Sequence, residues 1–294
     1  MINKMKGIIL AGGTGSRLFP ATFATSKQLL AIYDKPLIYY PLSVLMLADI
    51  RDILIICTPD DLSNFKKLLF DGSQFGIKIS YAVQSKPRGL ADAFIIGKNF
   101  IGIDRVCLIL GDNIFYGHDF TGNLISAKKK SNHASIFGYP VSNPSEFGVL
   151  EINKKKQPSG ISEKPLKPKS NIAITGLYFF NNDVLQIVKK IKPSKRGELE
   201  ITDIIKHYLR KKKLNVEMLG RGFAWLDTGT HEAMLSAGKF VETIEQRQGF
   251  KIACVEEIAY KKKWINKKKL SKMIKKFKSS NYGNYLKLVL NAKK

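Results

Sequence analysis

Residues 7–18 read Gly-Ile-Ile-Leu-Ala-Gly-Gly-Thr-Gly-Ser-Arg-Leu and join a short apolar run to a glycine-rich turn. The apolar residues predict a buried strand, and the three glycines of the turn let backbone N–H groups approach an anion. The turn lacks the Gly-Lys-Ser/Thr of a Walker A loop, and Leu18 stands where the dinucleotide-binding fingerprint has its third glycine. The stretch therefore predicts a strand that ends in a phosphate-binding turn of another kind.

The first half of the chain repeats this alternation of apolar runs and amphipathic stretches. Further strand candidates lie at 53–57, 77–83 and 106–110, and the helical patterns that alternate with them lie at 41–50, 62–70 and 90–100. Because parallel strands need helix-length connections, the expected class is α/β, with a Rossmann-like, mixed and mostly parallel central sheet covered by helices. Later strand candidates, which are expected to extend the same sheet, lie at 134–139, 148–152 and 172–180.

The C-terminal part of the chain has a different texture, in which lysines mix with apolar residues at helical spacing. The apolar residues are Trp264, Ile265, Leu270, Met273, Ile274 and Phe277. This spacing predicts amphipathic helices. We expect a core over residues 1–250 and a helical extension over residues 251–294 that packs on the core or on a neighbouring subunit.

The chain carries a net charge of +25, with a pI of about 9.8. Such a charge could attract nucleic acid or an anionic membrane. The lysines, however, form short triplets without interleaved stacking aromatics, at 128–130, 154–156, 211–213, 261–263 and 267–269. We therefore expect solvated surface lysines and neither a nucleic-acid nor a membrane partner.

The apolar runs, the first ten residues and the cysteines bear on the cellular compartment of the protein. No run of eighteen apolar residues occurs, and residues 1–10 show no signal-peptide pattern, so a cytoplasmic protein is expected. Cys57, Cys107 and Cys254 are odd in number and far apart, which favours reduced, mostly buried thiols over a disulfide framework or a zinc site.

Five further motifs follow the glycine-rich turn and its downstream Lys27-Gln28. They are Leu-Gly-Asp-Asn at 110–113, Glu-Lys-Pro at 163–165, Thr-Gly-Leu-Tyr at 175–178, Gly-Glu-Leu-Glu-Ile-Thr-Asp at 197–203 and Trp-Leu-Asp-Thr-Gly-Thr at 225–230. In this order and spacing the six motifs resemble the sugar nucleotidylyltransferase family over nearly the whole chain. The resemblance implies the nucleotidyltransferase, or glycosyltransferase-A-like, form of the α/β fold.

The resemblance also implies a reaction. It is the Mg²⁺-dependent transfer of a nucleotidyl group from dTTP to α-D-glucose 1-phosphate, which gives dTDP-α-D-glucose and pyrophosphate and opens dTDP-deoxysugar synthesis, for example of dTDP-rhamnose. A homo-oligomer, expected to be a tetramer, is implied as well. UTP stays open as the nucleotide, because thymine and uracil differ by one methyl group. A non-catalytic sugar-nucleotide sensor or a nucleic-acid-binding protein with this fold also stays open.

Nucleotidyl transfer brings two anionic reactants together, so it needs positive charge and positioning more than an acid or a base. Asp112 follows the strand candidate at 106–110, at the sheet edge where α/β proteins bind ligands, and its carboxylate suits Mg²⁺. The resemblance implies that Asp227 holds the same ion. It further implies that Arg17 and Lys27 bind the triphosphate and that Lys164 binds the sugar phosphate.

The resemblance implies two further sets of binding residues. The nucleotide-binding residues would be Gly12, Gly13, Gly15, Gln28, Gln84 and Gly89. The sugar-phosphate-binding residues would be Asn113, Gly148, Glu163, Ile174, Tyr178 and Trp225. An amide such as that of Gln84 offers both a donor and an acceptor to a pyrimidine edge. Ordinary core packing is the alternative for Ile174, Tyr178 and Trp225.

Two positions depart from the family pattern. Residues 88–93 read Arg-Gly-Leu-Ala-Asp-Ala where the family has Asp-Gly-Leu-Ala-Gln-Ala, so one charge is reversed and a carboxylate replaces an amide. Phe147 stands before Gly148 where a tyrosine is usual. The first departure leaves the base and ribose contacts open, and the second removes a hydroxyl near the expected sugar site.

Overall fold

Strands and helices alternate along the first half of the chain, as the apolar runs predict. The computed structural model describes residues 4–130, 132–155 and 157–292. Its strands are β1 (Met5–Ala11), β2 (Ala31–Ile32), β3 (Lys35–Pro36), β4 (Asp52–Cys57), β5 (Lys78–Val83), β6 (Arg105–Leu110), β7 (Asn113–Tyr116), β8 (Ala134–Pro140), β9 (Gly148–Ile152), β10 (Pro158–Glu163), β11 (Ile172–Phe180), β12 (Leu214–Met218) and β13 (Ala224–Asp227). Its α-helices are α1 (Tyr39–Leu47), α2 (Leu62–Leu69), α3 (Asp92–Ile96), α4 (Lys98–Ile101), α5 (Phe120–Lys129), α6 (Val184–Ile187), α7 (Ile201–Arg210), α8 (His231–Gln248), α9 (Val255–Lys261), α10 (Lys267–Phe277) and α11 (Asn281–Asn291).

A nine-stranded sheet forms the centre of the fold. Strands β5, β4, β1 and β6 lie side by side and run parallel, and β12 runs parallel to β8. Strand β11 lies antiparallel to β6, β8 and β9, and β10 completes the edge beside β9. The sheet is therefore mixed and mostly parallel, which confirms the predicted class, and the three later strand candidates all join it.

The central parallel strands are apolar on both faces because helices cover both sides of the sheet. Ile9 packs in one buried layer with residues of α1 and α2, and the adjacent Ile8 packs in the opposite layer with Phe94 and Tyr208. Both isoleucines are fully buried. Each layer thus takes alternate side chains of the same strand, as the two-residue period of a strand requires.

The predicted helices are present, with one correction. The pattern at 90–100 is not one helix, because it divides at Gly97 into α3 and α4. A Cβ at Gly97 would lie 2.8 Å from Cδ1 of Ile8 and 2.9 Å from the carbonyl oxygen of Ala93, so the chain approaches the sheet too closely there for a side chain. The break keeps both short helices in contact with the sheet.

The C-terminal helices α9, α10 and α11 pack against the layer that contains α1. Leu270, Met273 and Ile274, which the helical spacing singles out, are buried in the same apolar cluster as Ile9 and Ile55 of the sheet. The predicted helices of this region are therefore present and contact the core. The division between 1–250 and 251–294 stays a prediction, and its terminal residues 1–3 and 293–294 lie outside the described residues.

The cysteines are buried, whereas the described members of the lysine triplets lie at or near the surface. Cys57, Cys107 and Cys254 are free and buried, and burial raises the pKa of the Cys57 thiol to about 11. The described members of the lysine triplets are exposed or half-buried, while Lys156 lies outside the described residues. Across the described part of the chain, no helix combines the length and the apolar character needed to cross a membrane.

Candidate active site

The predicted nucleotide residues meet at the carboxyl edge of the parallel strands. The glycine-rich turn follows β1, Gln84 follows β5, and Asp112 follows β6 by two residues. Backbone hydrogen bonds hold the segments that follow neighbouring strands side by side. Gly111 N donates to the Leu10 carbonyl at 2.9 Å, and Gln84 N donates to the Cys57 carbonyl at 2.8 Å. In an open α/β sheet this edge is where ligands bind.

The glycine-rich turn leaves its backbone open at one end and packs closely at the other. A Cβ at Gly12 would lie 2.3 Å from Oε1 of Gln84, whereas one at Gly13 would meet nothing within 4 Å. Gly15 has a φ of 63°, which a residue with a side chain rarely adopts, and Thr22 Oγ1 donates to its carbonyl at 2.8 Å. These three glycines therefore allow a turn whose backbone is accessible to an anion.

A small second sheet brings the two predicted metal ligands together. Strands β7 and β13 pair antiparallel, with Asp227 opposite Asn113, so Asp227 lies beside Asp112. Thr228 reinforces the contact, since its N–H and its hydroxyl both donate to the Asp112 carbonyl, at 3.3 and 2.9 Å. The structure thus brings together two carboxylates that are far apart in the sequence.

The charge of Asp112 acts on the neighbouring Asp227. Burial, followed by the negative charge of Asp112, raises the pKa of Asp227 to about 6, and the positive charges of Lys27, Arg17 and Lys164 act in the opposite direction. Lys27 Nζ pairs with Asp112 Oδ2 at 2.5 Å. Two carboxylates and three cations, all five predicted as catalytic, therefore share one electrostatic neighbourhood.

Arg17 reaches this neighbourhood from the glycine-rich turn. A Cβ at Gly229 would lie 3.6 Å from Nη1 of Arg17 and 3.4 Å from Oδ2 of Asp227. The guanidinium therefore lies close to the carboxylate of Asp227 while the Arg17 residue as a whole stays exposed. An exposed guanidinium with this fork of donors can bind phosphate oxygens in a bidentate manner.

The predicted sugar residues gather next to the carboxylates. A Cβ at Gly148 would lie 3.6 Å from Oε2 of Glu163 and 3.8 Å from Cδ1 of Ile174, so these three residues are neighbours. Burial, then the charge of Glu200, raises the pKa of Glu163. Tyr178 is buried within electrostatic range of both Glu163 and Asp112, because burial, followed by the charges of these two carboxylates, raises its pKa.

Lys164 follows Glu163 at the end of β10 and is exposed. Its φ of 40° is unusual for a residue with a side chain, and its N–H donates to the Phe147 carbonyl at 3.0 Å. This backbone geometry turns the lysine out of the strand at the site, where its charge acts on Asp227.

Trp225 and Asn113 form a buried wall beside the carboxylates. Asn113 Oδ1 accepts hydrogen bonds from Trp225 Nε1 at 2.7 Å and from Gly176 N at 3.1 Å, and its amide nitrogen donates to Asp112 Oδ1 at 3.0 Å. The Phe147 ring packs on Trp225 with ring centroids 5.0 Å apart. The indole is thereby fixed, and a role in sugar contact stays a prediction.

Gln28 and Gly89, the remaining predicted nucleotide-binding residues, make packing contacts that the motifs do not predict. Gln28 is buried, and its Oε1 accepts a hydrogen bond from Ser26 Oγ at 2.5 Å. Gly89 has a φ of 97°, and a Cβ there would lie 2.5 Å from the Leu199 carbonyl oxygen. Both hold the loops that surround the site, and their contact with a nucleotide stays a prediction.

Several residues at the site were not singled out from the sequence. Arg196 Nη2 contacts both carboxylate oxygens of Glu200 at 2.9 Å and Oε1 of Glu163 at 3.2 Å. Thr228 binds the Asp112 carbonyl, as described above. Glu200 and Thr228 lie inside quoted motifs, but no spacing rule links Arg196 to Glu163, so only the fold reveals that contact.

Comparison with known proteins identifies the family of this chain. Residues 6–244 match the family model described as Nucleotidyl transferase. The chain belongs to the nucleotidyl transferase family. A glucose-1-phosphate thymidylyltransferase of Neisseria meningitidis serogroup A is 56% identical over 282 residues, which is 96% of this chain and 98% of that protein. One of Xanthomonas campestris pv. campestris is 51% identical over 285 residues, which is 97% of each chain.

Among solved structures, this nucleotidyltransferase resembles a Bacillus anthracis protein assigned as a glucose-1-phosphate thymidylyltransferase and crystallised with sucrose. The TM-score is 0.75 at 40% identity, over 81% of this chain and 95% of the other. The resemblance inferred from the six motifs is therefore confirmed, and the chain is an enzyme of the nucleotidyltransferase class.

The carboxylates of this nucleotidyltransferase fit a hard divalent cation. Asp112 and Asp227 offer oxygen donors. Burial, followed by the charge of Asp112, raises the pKa of Asp227, and a bound cation would favour its charged form. Within the described residues no group of three or more His, Cys, Asp or Glu side chains could hold a metal ion. A two-carboxylate site suits Mg²⁺, which keeps several waters and takes its other ligands from substrate phosphates.

Proposed function

We propose that this nucleotidyltransferase transfers the thymidylyl group of dTTP to α-D-glucose 1-phosphate and releases pyrophosphate. The observation that carries the proposal is the convergence of Asp112 and Asp227 with three cations at the carboxyl edge of the sheet. The names of the relatives that are 51–56% identical supply the substrates. Together they favour dTDP-α-D-glucose as the product.

In this reaction a phosphate oxygen of glucose 1-phosphate attacks the α-phosphorus of dTTP. The new P–O bond forms in line with the bond to the β-phosphate, which breaks and leaves with its electron pair as pyrophosphate. No proton has to move, because the attacking phosphate oxygen is already charged. The protein therefore has to position two anions and neutralise charge.

The cationic side chains divide this work. Arg17 and Lys27 are placed on the side of the glycine-rich turn, where they bind the triphosphate and then the departing pyrophosphate. Lys164, at the end of β10 next to Glu163, binds the phosphate of the sugar. Lys27 pairs with Asp112 in this structure, so it has to exchange that carboxylate for a phosphate oxygen when the substrates bind.

Asp112 and Asp227 hold Mg²⁺ in this proposal, and the bound ion would supply positive charge to the α-phosphate oxygens. The partly buried hydrogen bonds of Asn113 and Thr228 fix the position of Asp112 before any ligand arrives. Glu163, half-buried and held by Arg196, is placed to accept hydrogen bonds from sugar hydroxyls. The site is thus largely preorganised by its own contacts.

The resemblance adds three elements to the proposal. They are entry into dTDP-deoxysugar synthesis, such as that of dTDP-rhamnose, a homotetrameric assembly, and a cytoplasmic location. The similarity to the thymidylyltransferases supports them, and each has its own measurement, for instance light scattering for the assembly.

The first experiment follows pyrophosphate release from purified protein with glucose 1-phosphate, Mg²⁺ and each of dTTP, UTP, ATP, CTP and GTP in turn. We expect release with a preference for dTTP and its loss in Asp112→Asn. A preference for UTP would keep the mechanism and change the substrate. No release with any nucleotide would contradict the proposal and favour a sugar-nucleotide sensor.

A further inference from the structure

Gln84 and Asp92 form a buried hydrogen bond next to the glycine-rich turn. Gln84 Nε2 donates to Asp92 Oδ2 at 2.9 Å, and the two residues are only 5% and 1% exposed. The other carboxylate oxygen of Asp92 pairs with Arg88 Nη2 at 3.0 Å, and the Arg88 side chain extends into solvent. Both oxygens of Asp92 are therefore engaged, one inside the site and one at its rim.

This contact fixes which end of the Gln84 amide faces the site. An ionised carboxylate only accepts hydrogen bonds, so the amide must turn its NH₂ group toward Asp92. Its carbonyl oxygen then points the opposite way and lies against Gly12, 2.3 Å from the position that a Cβ of Gly12 would occupy. An uncharged partner that could both donate and accept would leave the amide free to reverse.

We propose that Asp92 is a positioning residue that makes Gln84 present an acceptor to the nucleotide base. The inference rests on the proposed function, because it takes the nucleotide to bind at the glycine-rich turn. Thymine and uracil carry an N3–H donor that matches this oxygen. Cytosine carries an acceptor at N3, which would face the oxygen of Gln84 with no proton between them.

Asp92→Asn is the direct test, because asparagine keeps the size of the side chain and can either accept from or donate to Gln84. We expect the ratio of kcat/KM for dTTP to that for dCTP, each with glucose 1-phosphate, to fall by about tenfold, the value of one hydrogen bond. The value for dTTP should fall and that for dCTP should rise, a reversal that general damage to the site would not produce. An unchanged ratio, or an equal loss for both nucleotides, would overturn the proposal.

The matched control is Asp104→Asn, which removes a carboxylate from an ion pair with Lys6, 3.1 Å away, at the opposite edge of the same sheet. We expect it to leave the ratio unchanged. A second comparison repeats Asp92→Asn in a Gln84→Ala background. If Asp92 acts through Gln84, the ratio should not change further there, and a second tenfold change would contradict the inference.

A binding measurement separates this inference from the proposed function. Calorimetry gives the ratio of the dissociation constants of dTTP and dCTP for the wild type and Asp92→Asn, with thermal unfolding as a check that each variant is folded. A wild type that prefers dTTP but releases no pyrophosphate would overturn only the proposed reaction. Equal base preference of the two proteins in this assay would overturn only the role of Asp92.

Discussion

Two pairs of acidic side chains, each partly or fully buried, have opposite surroundings in this molecule. Asp34 and Glu245 lie where the β2–β3 hairpin meets α8, and Lys35 and Lys251 each contact both of them. Asp112 and Asp227 lie at the carboxyl edge of the sheet, where Lys27 pairs with Asp112 alone. Among the described residues, no cation forms a direct ion pair with Asp227.

The difference separates a cluster that the fold itself neutralises from the proposed cation site. The first cluster contains two negative and two positive charges, so the fold itself compensates each carboxylate. In the second, the pKa of Asp227 is raised to about 6, first by burial and then by the neighbouring Asp112. A partly buried carboxylate that lacks a direct ion pair within the described residues is costly to keep charged, and its retention at a ligand-binding edge supports the proposed site for an external cation.

We expect the largest effect at Asp227, the carboxylate for which the described residues supply no direct ion pair. Asp227→Asn should lower the rate of pyrophosphate release by on the order of 10³-fold, because it removes one of the two carboxylates that would hold the proposed cation. The melting temperature should stay equal or rise, because the like-charge contact disappears. Steady-state kinetics and thermal unfolding test both parts, and a destabilised variant with full activity would reverse the assignment.

Glu245→Gln should show the opposite pattern. The substitution leaves Lys35, which is almost fully buried, and Lys251 with fewer negative partners, so the free energy of unfolding should fall by about 3–5 kcal/mol. Activity of the folded protein should stay close to that of the wild type. Denaturant unfolding measures the loss, and an effect below about 1 kcal/mol would show that this cluster contributes little.

Acid should act on Asp227. Because the folded-state pKa of Asp227 lies at about 6, above that of an unfolded aspartate, its carboxylate takes up a proton as the pH falls through 6. Cation affinity, read as the Mg²⁺ concentration for half-maximal rate, should then weaken by up to about tenfold per pH unit.

The contribution of Asp227 to folding stability changes with pH in the opposite direction to cation affinity, because a raised folded-state pKa favours the folded protein at low pH. It is present at low pH and is lost as the pH rises through about 6, and Asp227→Asn should abolish that dependence. A stability that rises with pH through this window because of Asp227 would contradict the raised pKa.

An exposed ion pair supplies the smallest effect. Lys206 pairs with Asp203 at 3.0 Å on α7, and both side chains are partly exposed to solvent. Lys206→Met should change the free energy of unfolding by less than about 0.5 kcal/mol, because water and salt screen the pair. A loss as large as that of Glu245→Gln would show that burial is not what distinguishes the Asp34–Glu245 cluster.

The sequence predicts the parts of the fold that depend on local patterns. The strand at 106–110 and the aspartate two residues after it place Asp112 at the carboxyl edge, and the glycine-rich turn follows from residues 7–18 alone. Strands β7 and β13 are different, because each is short and becomes a strand only by pairing with the other. Asp227 could therefore be assigned by resemblance but not placed beside Asp112 by pattern.

Contacts between side chains of different elements cannot be predicted from local patterns either, because they depend on how the elements pack. Arg196 with Glu163, Asp92 with Gln84, and the cluster around Glu245 all join separate elements whose relative positions come from the packed sheet. A hydrophobic pattern reports on a single helix or strand and carries no information about contacts between elements. The break at Gly97 was missed because it reflects the approach of a helix to Ile8, which no helical pattern encodes.

The most direct test of the central claim compares the Mg²⁺ dependence of pyrophosphate release from dTTP and glucose 1-phosphate in the wild type, Asp227→Asn and Glu245→Gln. We expect Glu245→Gln to follow the wild-type curve and Asp227→Asn to stay on the order of 10³-fold slower at every Mg²⁺ concentration. A curve for Asp227→Asn that matches the wild type, or one for Glu245→Gln that loses its Mg²⁺ response, would contradict it.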